Sequence, residues 1–182
     1  AMPAPARESP PQALTRASVV ADYRLGWASR HASLIGRKEV LSGKAKFGIF
    51  GDGKEIAQLA IARAFRKGDW RSGYYRDQTW MFMLNSMSVQ EFFAQLYAHA
   101  DTTYDPASAG RQMNAHFATR NLFPNGSWRP PTQLYNTSAD VSPTAAQMPR
   151  AVGLAYASVM YRKLKELQEF TEFSHNADEI TF

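Results

Sequence analysis

The chain has no cysteine among its 182 residues. Disulfides and thiolate-held metal sites are therefore excluded, and a reducing compartment such as the cytoplasm fits the composition. No apolar run approaches the roughly 18–20 residues that a membrane-spanning helix requires, and no charged stretch followed by an apolar one opens the sequence as a secretory signal would. Acidic residues are the scarcer charge, 16 against 21 basic, for a net charge of +5. The basic residues are scattered; only Arg37-Lys38 and Arg162-Lys163-Leu164-Lys165 cluster. That spacing gives no nucleic-acid stripe. It leaves a basic, solubilising surface or an anionic partner such as a phosphate or diphosphate.

Familiar catalytic patterns are missing too. Gly51-Asp52-Gly53-Lys54 lacks the spacing and the Lys-Ser/Thr ending of a phosphate loop. No Gly-x-Ser-x-Gly or Cys/His pair supports a covalent nucleophile. His99 with Asp101, and His175 with Asp178, have no companions at metal-ligand spacing.

What is present is a 45% apolar content, enough for one domain with a real core. Residues 1–13 are proline-rich and aperiodic and read as a disordered leader, with Ala1-Met2 a cloning scar on one reading. Val19, Val20, Tyr23, Leu25, Trp27, Leu34 and Ile35 recur at helical spacing and predict a helix from Thr15 to about Leu41. A second helix is expected from Lys54 to Phe65 with Ile56, Leu59, Ala60 and Ala64 on one face, ended by Lys67-Gly68-Asp69. Trp70 to Tyr75 reads as a short strand or an extended loop. Helices are expected from Asp77 or Gln78 to Leu84, and from the N-cap Ser88 to Ala98 with Phe92, Phe93 and Leu96 apolar. Residues 101–138 are rich in Gly, Pro, Asn, Ser and Thr, a long irregular stretch of the kind that carries function. A helix is expected from Met148 or Pro149 to about Phe170. Its small apolar first half (Ala151, Val152, Gly153, Ala155, Ala157) suits close packing on a sheet. A turn at Asn176-Ala177 then leads to a strand at Glu179-Ile180-Thr181-Phe182. The order suits an α/β layer fold better than a bundle.

Three polar stations stand beside these elements. In Tyr74-Tyr75-Arg76-Asp77, Arg76 presents a planar fork of donors suited to phosphate oxygens and Tyr75 adds a hydroxyl; the alternative is a half-buried tyrosine with Arg76 paired to Asp77 or another carboxylate. In Gly110-Arg111-Gln112-Met113-Asn114-Ala115-His116-Phe117, the glycine lets backbone approach a ligand and His116 can donate a hydrogen bond or move a proton; the alternative is an ordered loop with a hydrogen-bonded histidine. In Asp140-Val141-Ser142-Pro143-Thr144-Ala145-Ala146-Gln147-Met148-Pro149, a loop enters a helix, offering free N–H groups and carbonyls for a hard cation; the alternative is simple capping by Ser142 or Thr144.

Taken in order, from about Phe47 to Phe182, the stations resemble the α part of the thiamine diphosphate-dependent first component of the 2-oxo acid dehydrogenase complexes, of branched-chain or pyruvate type. Gly53-Lys54-Glu55 sits where that family has a Gly-Gln-Glu-like motif, and Gly110-Arg111-Gln112-Met113 leans towards the branched-chain version. The resemblance implies a thiamine diphosphate-binding α/β fold, a parallel sheet with helices on both faces, present here only in part over 14–182. It implies Tyr75 and Arg76 as diphosphate ligands, Ser142 and Thr144 as cofactor contacts under the aminopyrimidine, and His116 as an active-site hydrogen-bond donor. It also implies carbonyls near Pro143 and Gln147 as potassium ligands. Thr144 replaces a frequent leucine, and Ala146 replaces a frequent hydroxyl residue, which weakens the potassium expectation. The family's magnesium motif, Gly-Asp-Gly after a strand and then an Asn, would follow Phe182, so an amino-terminal fragment is expected.

The implied activity is oxidative decarboxylation of a 2-oxo acid with transfer of the acyl group to a lipoyl arm. Its implied partners are the β part of the enzyme, separate or fused, and the lipoyl acyltransferase component, in a homo- or hetero-oligomer without nucleic acid or membrane. On this reading the chain by itself is inactive. Two readings stand beside it. One is a basic polyanion-binding module without catalysis, which predicts steep salt dependence. The other is a subunit-assembly module, which predicts exposed apolar surface.

Overall fold

The computed structural model describes residues 14–174 and 177–182. The leader and Asn176 of the expected turn fall outside them. The described chain divides into two units, a helical one (residues 14–64 and Tyr74–Phe117) and a sheet-bearing one (Phe65–Gly73 and Ala118–Phe182).

In the helical unit, α1 (Arg16–Leu41) starts where its sequence says it should. The Thr15 hydroxyl accepts the Ser18 N–H at 3.1 Å and the Ser18 hydroxyl accepts the Thr15 N–H at 2.9 Å, a reciprocal capping box. Gly43, at φ +76°, ends it in the left-handed region open to glycine. The buried face differs from the apolar pattern. Gly26, Ser29, Ala32, Ser33 and Gly36 point inward, while Val19, Val20, Tyr23, Trp27, Leu34 and Ile35 are exposed. Small residues win because the neighbours come so close: a Cβ on Gly36 would lie 2.3 Å from the Phe50 ring. The next helix, α2 (Glu55–Ala64), buries Leu59 of the expected face but leaves Ile56, Ala60 and Ala64 exposed. Gln58, Leu59 and Ala62 are buried and Ile56 is 79% exposed. Arg63 forks onto Asp22 at 2.7 and 2.8 Å and ties α2 to α1.

Two shorter helices complete the unit, α3 (Gln78–Met83) and α4 (Val89–Leu96). Ser88 and Glu91 form the capping box of α4. Phe92 is fully buried, edge-on to Phe82 at 5.8 Å. The Gly51-Asp52-Gly53 turn is a structural anchor here: Arg37 reaches Asp52 at 2.6 Å, and the Glu55 carboxylate accepts the Gly53 N–H at 3.0 Å.

In the sheet-bearing unit, β1 (Trp70–Arg71) pairs in parallel with β2 (Asn136–Thr137), Trp70 opposite Asn136 and Arg71 opposite Thr137. The expected extended run from Trp70 to Tyr75 is thus a strand only over its first two residues. On the other edge of β1, Trp70 bridges Thr181 in parallel, with the Trp70 N–H on the Ile180 carbonyl (2.9 Å) and the Phe182 N–H on the Trp70 carbonyl (2.8 Å). The expected strand at Glu179–Phe182 therefore lies beside β1. The parallel edges and the helix between them, α5 (Gln147–Lys163), make the fold α/β.

Helix α5 stops well before the expected Phe170. Leu164 turns extended (φ −90°, ψ 122°) and a 3-10 turn follows at Lys165–Leu167. Its small apolar half is not packed away. Ser158 is its buried residue, Val152 is 70% exposed, and a Cβ on Gly153 would meet nothing within 4 Å.

The centre of this unit is polar. Arg71 and Asp140, both side chains fully buried, form a two-point ion pair at 3.1 and 3.2 Å. Gly73 makes room for it: a Cβ there would sit 1.8 Å from the guanidinium carbon. Removing the carboxylate takes away one partner of a buried ion pair. Asp140→Ala should therefore cost about 3–5 kcal/mol, read as a lower urea midpoint.

Asp52 gives a pH-dependent test. Burial pushes its carboxyl up, but the Arg37 hydrogen bond and charge outweigh that and hold it below the usual range. A depressed folded-state value adds stability that is complete above the unfolded value of about 3.9 and is lost as pH falls through the folded one. The stability gap between the protein and Asp52→Asn should be open at pH 7 and close in acid, below about pH 4; a gap independent of pH would contradict this assignment.

Candidate cofactor site

The first station is a tight turn leading into α3. The Asp77 carboxylate accepts the Tyr74 N–H at 2.9 Å, and the Asp77 N–H returns to the Tyr74 carbonyl at 3.1 Å. The expected alternative paired Arg76 with a carboxylate. Among the described residues no carboxylate lies within ion-pair distance of Arg76. Its guanidinium instead sits 5.3 Å from the Tyr75 ring centre and 5.9 Å from that of Tyr74. Cation–π attraction holds the fork in place and leaves its N–H donors for an acceptor such as a phosphate. The two tyrosine rings lie 3.8 Å apart and their hydroxyls are hydrogen-bonded to each other.

The second station meets the first within the same unit: the His116 and Tyr75 ring centres are 6.1 Å apart with planes 23° from parallel. The loop that delivers His116 is built by side chains. Buried Asp105 accepts the N–H groups of Ala107, Ser108 and Gly110 and the Ser108 hydroxyl, at 2.7–3.2 Å. Gly110, at φ +76°, passes so near Ala98 that a Cβ would be 2.4 Å from its carbonyl oxygen. Asn114 clasps Ile49 like a strand partner, accepting its N–H at 3.0 Å and donating to its carbonyl at 2.9 Å. Gln95 does the same for the His116 backbone, at 3.3 and 3.1 Å. His116 is 5% exposed, and its Nδ1 is 3.1 Å from the Asn114 carbonyl. A carbonyl can only accept, so Nδ1 carries a proton. The ring then donates from Nε2 only when it is doubly protonated, and accepts there when neutral.

The third station belongs to the sheet-bearing unit. Ser142, Pro143 and Thr144 are exposed on the loop before α5, and Ala145 takes φ +71°. The cap position of α5 falls on Ala146, which has no side-chain acceptor. The Ala146 N–H reaches the Pro143 carbonyl at 3.3 Å. Gln147 is unusual: its Oε1 is buried and receives no hydrogen bond from any described residue. The loop is stapled to β1 from below. Arg71 holds Asp140, the Ser138 N–H reaches the Arg71 carbonyl at 2.9 Å, and the Ser72 hydroxyl donates to the Gln147 carbonyl at 2.8 Å. Arg150 adds bonds to the Ser138 hydroxyl and the Ala139 carbonyl.

The discarded metal pairs behave as local turns or lie outside the described residues. Asp101 donates its N–H to His99 Nδ1 at 3.2 Å and accepts the Thr103 N–H at 2.8 Å; His175 is not described. Among the described residues no group of three His, Asp or Glu is placed to hold a metal ion, and no helix is long and apolar enough to cross a membrane. The sequence reading missed Gln58, Gln95 and Asp105. Their signal was present as amides and a carboxylate at positions that became buried.

Against known proteins, a family model described as "Dehydrogenase E1 component" matches residues 24–167. The chain is 33% identical over 138 residues to the 2-oxoisovalerate dehydrogenase subunit alpha of Bacillus subtilis (strain 168). That alignment takes in 75% of this chain and 36% of the relative, so it spans about a third of the relative's length. A match running through all three stations assigns the chain to the dehydrogenase E1 component family.

Proposed function

We propose that this chain is the cofactor-binding α part of a thiamine diphosphate-dependent 2-oxo acid dehydrogenase. Its reaction is the oxidative decarboxylation of a branched-chain 2-oxo acid with acyl transfer to a lipoyl group. The observation that carries the reading is Arg76, a guanidinium with no described carboxylate partner, braced over two tyrosine rings and grouped with a buried histidine. Such a donor fork fits a diphosphate. The branched-chain preference rests on the similarity to the 2-oxoisovalerate dehydrogenase subunit. On this reading the fold is a thiamine diphosphate-binding one.

When bound, thiamine diphosphate supplies the nucleophilic carbon and the electron sink for loss of carbon dioxide. The chain's own residues bind and orient. Arg76 and the Tyr75 hydroxyl hold diphosphate oxygens. Ser142 and Thr144 contact the pyrimidine end. His116, its tautomer set by the Asn114 carbonyl, accepts or donates at Nε2 according to its protonation. The buried Oε1 of Gln147, which receives no hydrogen bond from any described residue, suits a cation that needs oxygen ligands and supports a potassium site there, with the Pro143 carbonyl four residues earlier as the other expected ligand. No residue here is assigned to magnesium. The partners on this reading are the β part of the enzyme and a lipoyl acyltransferase. Exposed Tyr23 and Trp27 on α1, and Val152 and Tyr156 on α5, support burial against partner surface.

In the full-length enzyme, Arg76→Ala should weaken thiamine diphosphate binding by about 10- to 100-fold, the range of a lost charge-assisted hydrogen bond. Binding of thiamine without its phosphates should change little. Calorimetric titration separates the two ligands, and unchanged diphosphate affinity would remove Arg76 from the site.

A further inference from the structure

The Arg76 carbonyl oxygen is gripped from two sides by residues that take no part in the site as assigned above. Gln58 Nε2 donates to it at 2.8 Å, while Gln58 Oε1 accepts the Trp80 N–H at 3.2 Å. One buried amide, 4% exposed, therefore pins the backbone on either side of the α3 start. From the other side, a Cβ on Gly51 would stand 2.2 Å from the same oxygen, so the carbonyl occupies space that only glycine leaves. Gly51 is fixed in turn, its N–H bonded to Gln78 Oε1 at 3.1 Å. Gln78 Nε2 donates to the Ser29 carbonyl (3.0 Å) and the Ser33 hydroxyl (2.9 Å) of α1.

We propose that Gln58 and Gly51 are positioning residues for diphosphate recognition, acting through the Arg76 carbonyl to aim its guanidinium. The proposal rests on the assignment of Arg76 to a diphosphate. The physical need for such residues is plain. The turn at Tyr75-Arg76 belongs to no strand or helix, and a mobile arginine fork loses its two-point geometry. Both residues act on one backbone atom, by different means: one supplies a hydrogen bond and the other supplies room.

The test uses the full-length enzyme and reads the ratio of its affinities for thiamine diphosphate and for thiamine, by calorimetric titration, together with the melting temperature. Gln58→Met keeps the side-chain length and removes both hydrogen bonds; Gly51→Ala keeps Gln58 and pushes the carbonyl away. Each should lower the ratio about five- to ten-fold, the size of one misplaced hydrogen bond. A purely structural role would lower the melting temperature and weaken both ligands together, leaving the ratio as in the parent. That result in either variant, with Arg76→Ala still collapsing the ratio, would overturn the positioning role alone. If Arg76→Ala left the ratio intact, the diphosphate assignment would fall and the positioning role with it. Gly51→Ala decides the matter should Gln58→Met not fold.

Discussion

Backbone N–H and C=O groups taken out of water need partners. Regular ladders are scarce here: the named strands are two residues each, and residues 101–138 contain little else. The demand falls on side chains. Asn114 closes on Ile49, Gln95 on His116, and Gln58 on Arg76 and Trp80. Asp105 serves three N–H groups, and Asp69 accepts those of Arg66 and Ile180. These buried amides and carboxylates stand in for strand neighbours. They also bear directly on the residues of the candidate site, because the loops they hold are the ones that carry it.

The same economy explains the core. Where backbone segments approach closely, glycine, alanine and serine line the contact, as on the inner face of α1. Large apolar residues of that helix are left on the outside. Gly51 and Gly73 follow the same logic at single points, one giving space to a carbonyl and the other to a buried guanidinium. Stability and site geometry thus draw on a few polar contacts, each costly to leave unpaired.

Much of this was visible in the residues. Thr15, Gly43 and Ser88 marked helix limits that the structure places within a residue or two. Tyr75-Arg76-Asp77 and the His116 loop were singled out as polar stations, and the structure sets Tyr75 and His116 side by side. Other readings did not carry over. The apolar spacing of α1 and α2 signalled helices, but on α1 it pointed to an exposed face and on α2 only Leu59 of the expected face is buried, since periodicity reports a stripe and not what covers it. The small residues of α5 suggested close packing, yet Val152 is 70% exposed and a Cβ on Gly153 would meet nothing within 4 Å.

By itself the sequence determined where α1 to α4 lie, the Ser88 cap of α4, the three stations and the family they point to. These depend on signals within a few residues of one another, such as a hydroxyl three positions from an N–H, or a glycine where φ turns positive. Tertiary structure decided which face of each helix is buried, which carboxylates are spent on backbone, and that Arg76 rests on aromatic rings without a described acidic partner. Those outcomes join residues far apart in the chain, Gln58 with Arg76, Arg71 with Asp140, Asn114 with Ile49. Packing chooses among many possible partners there, and no local pattern encodes the choice.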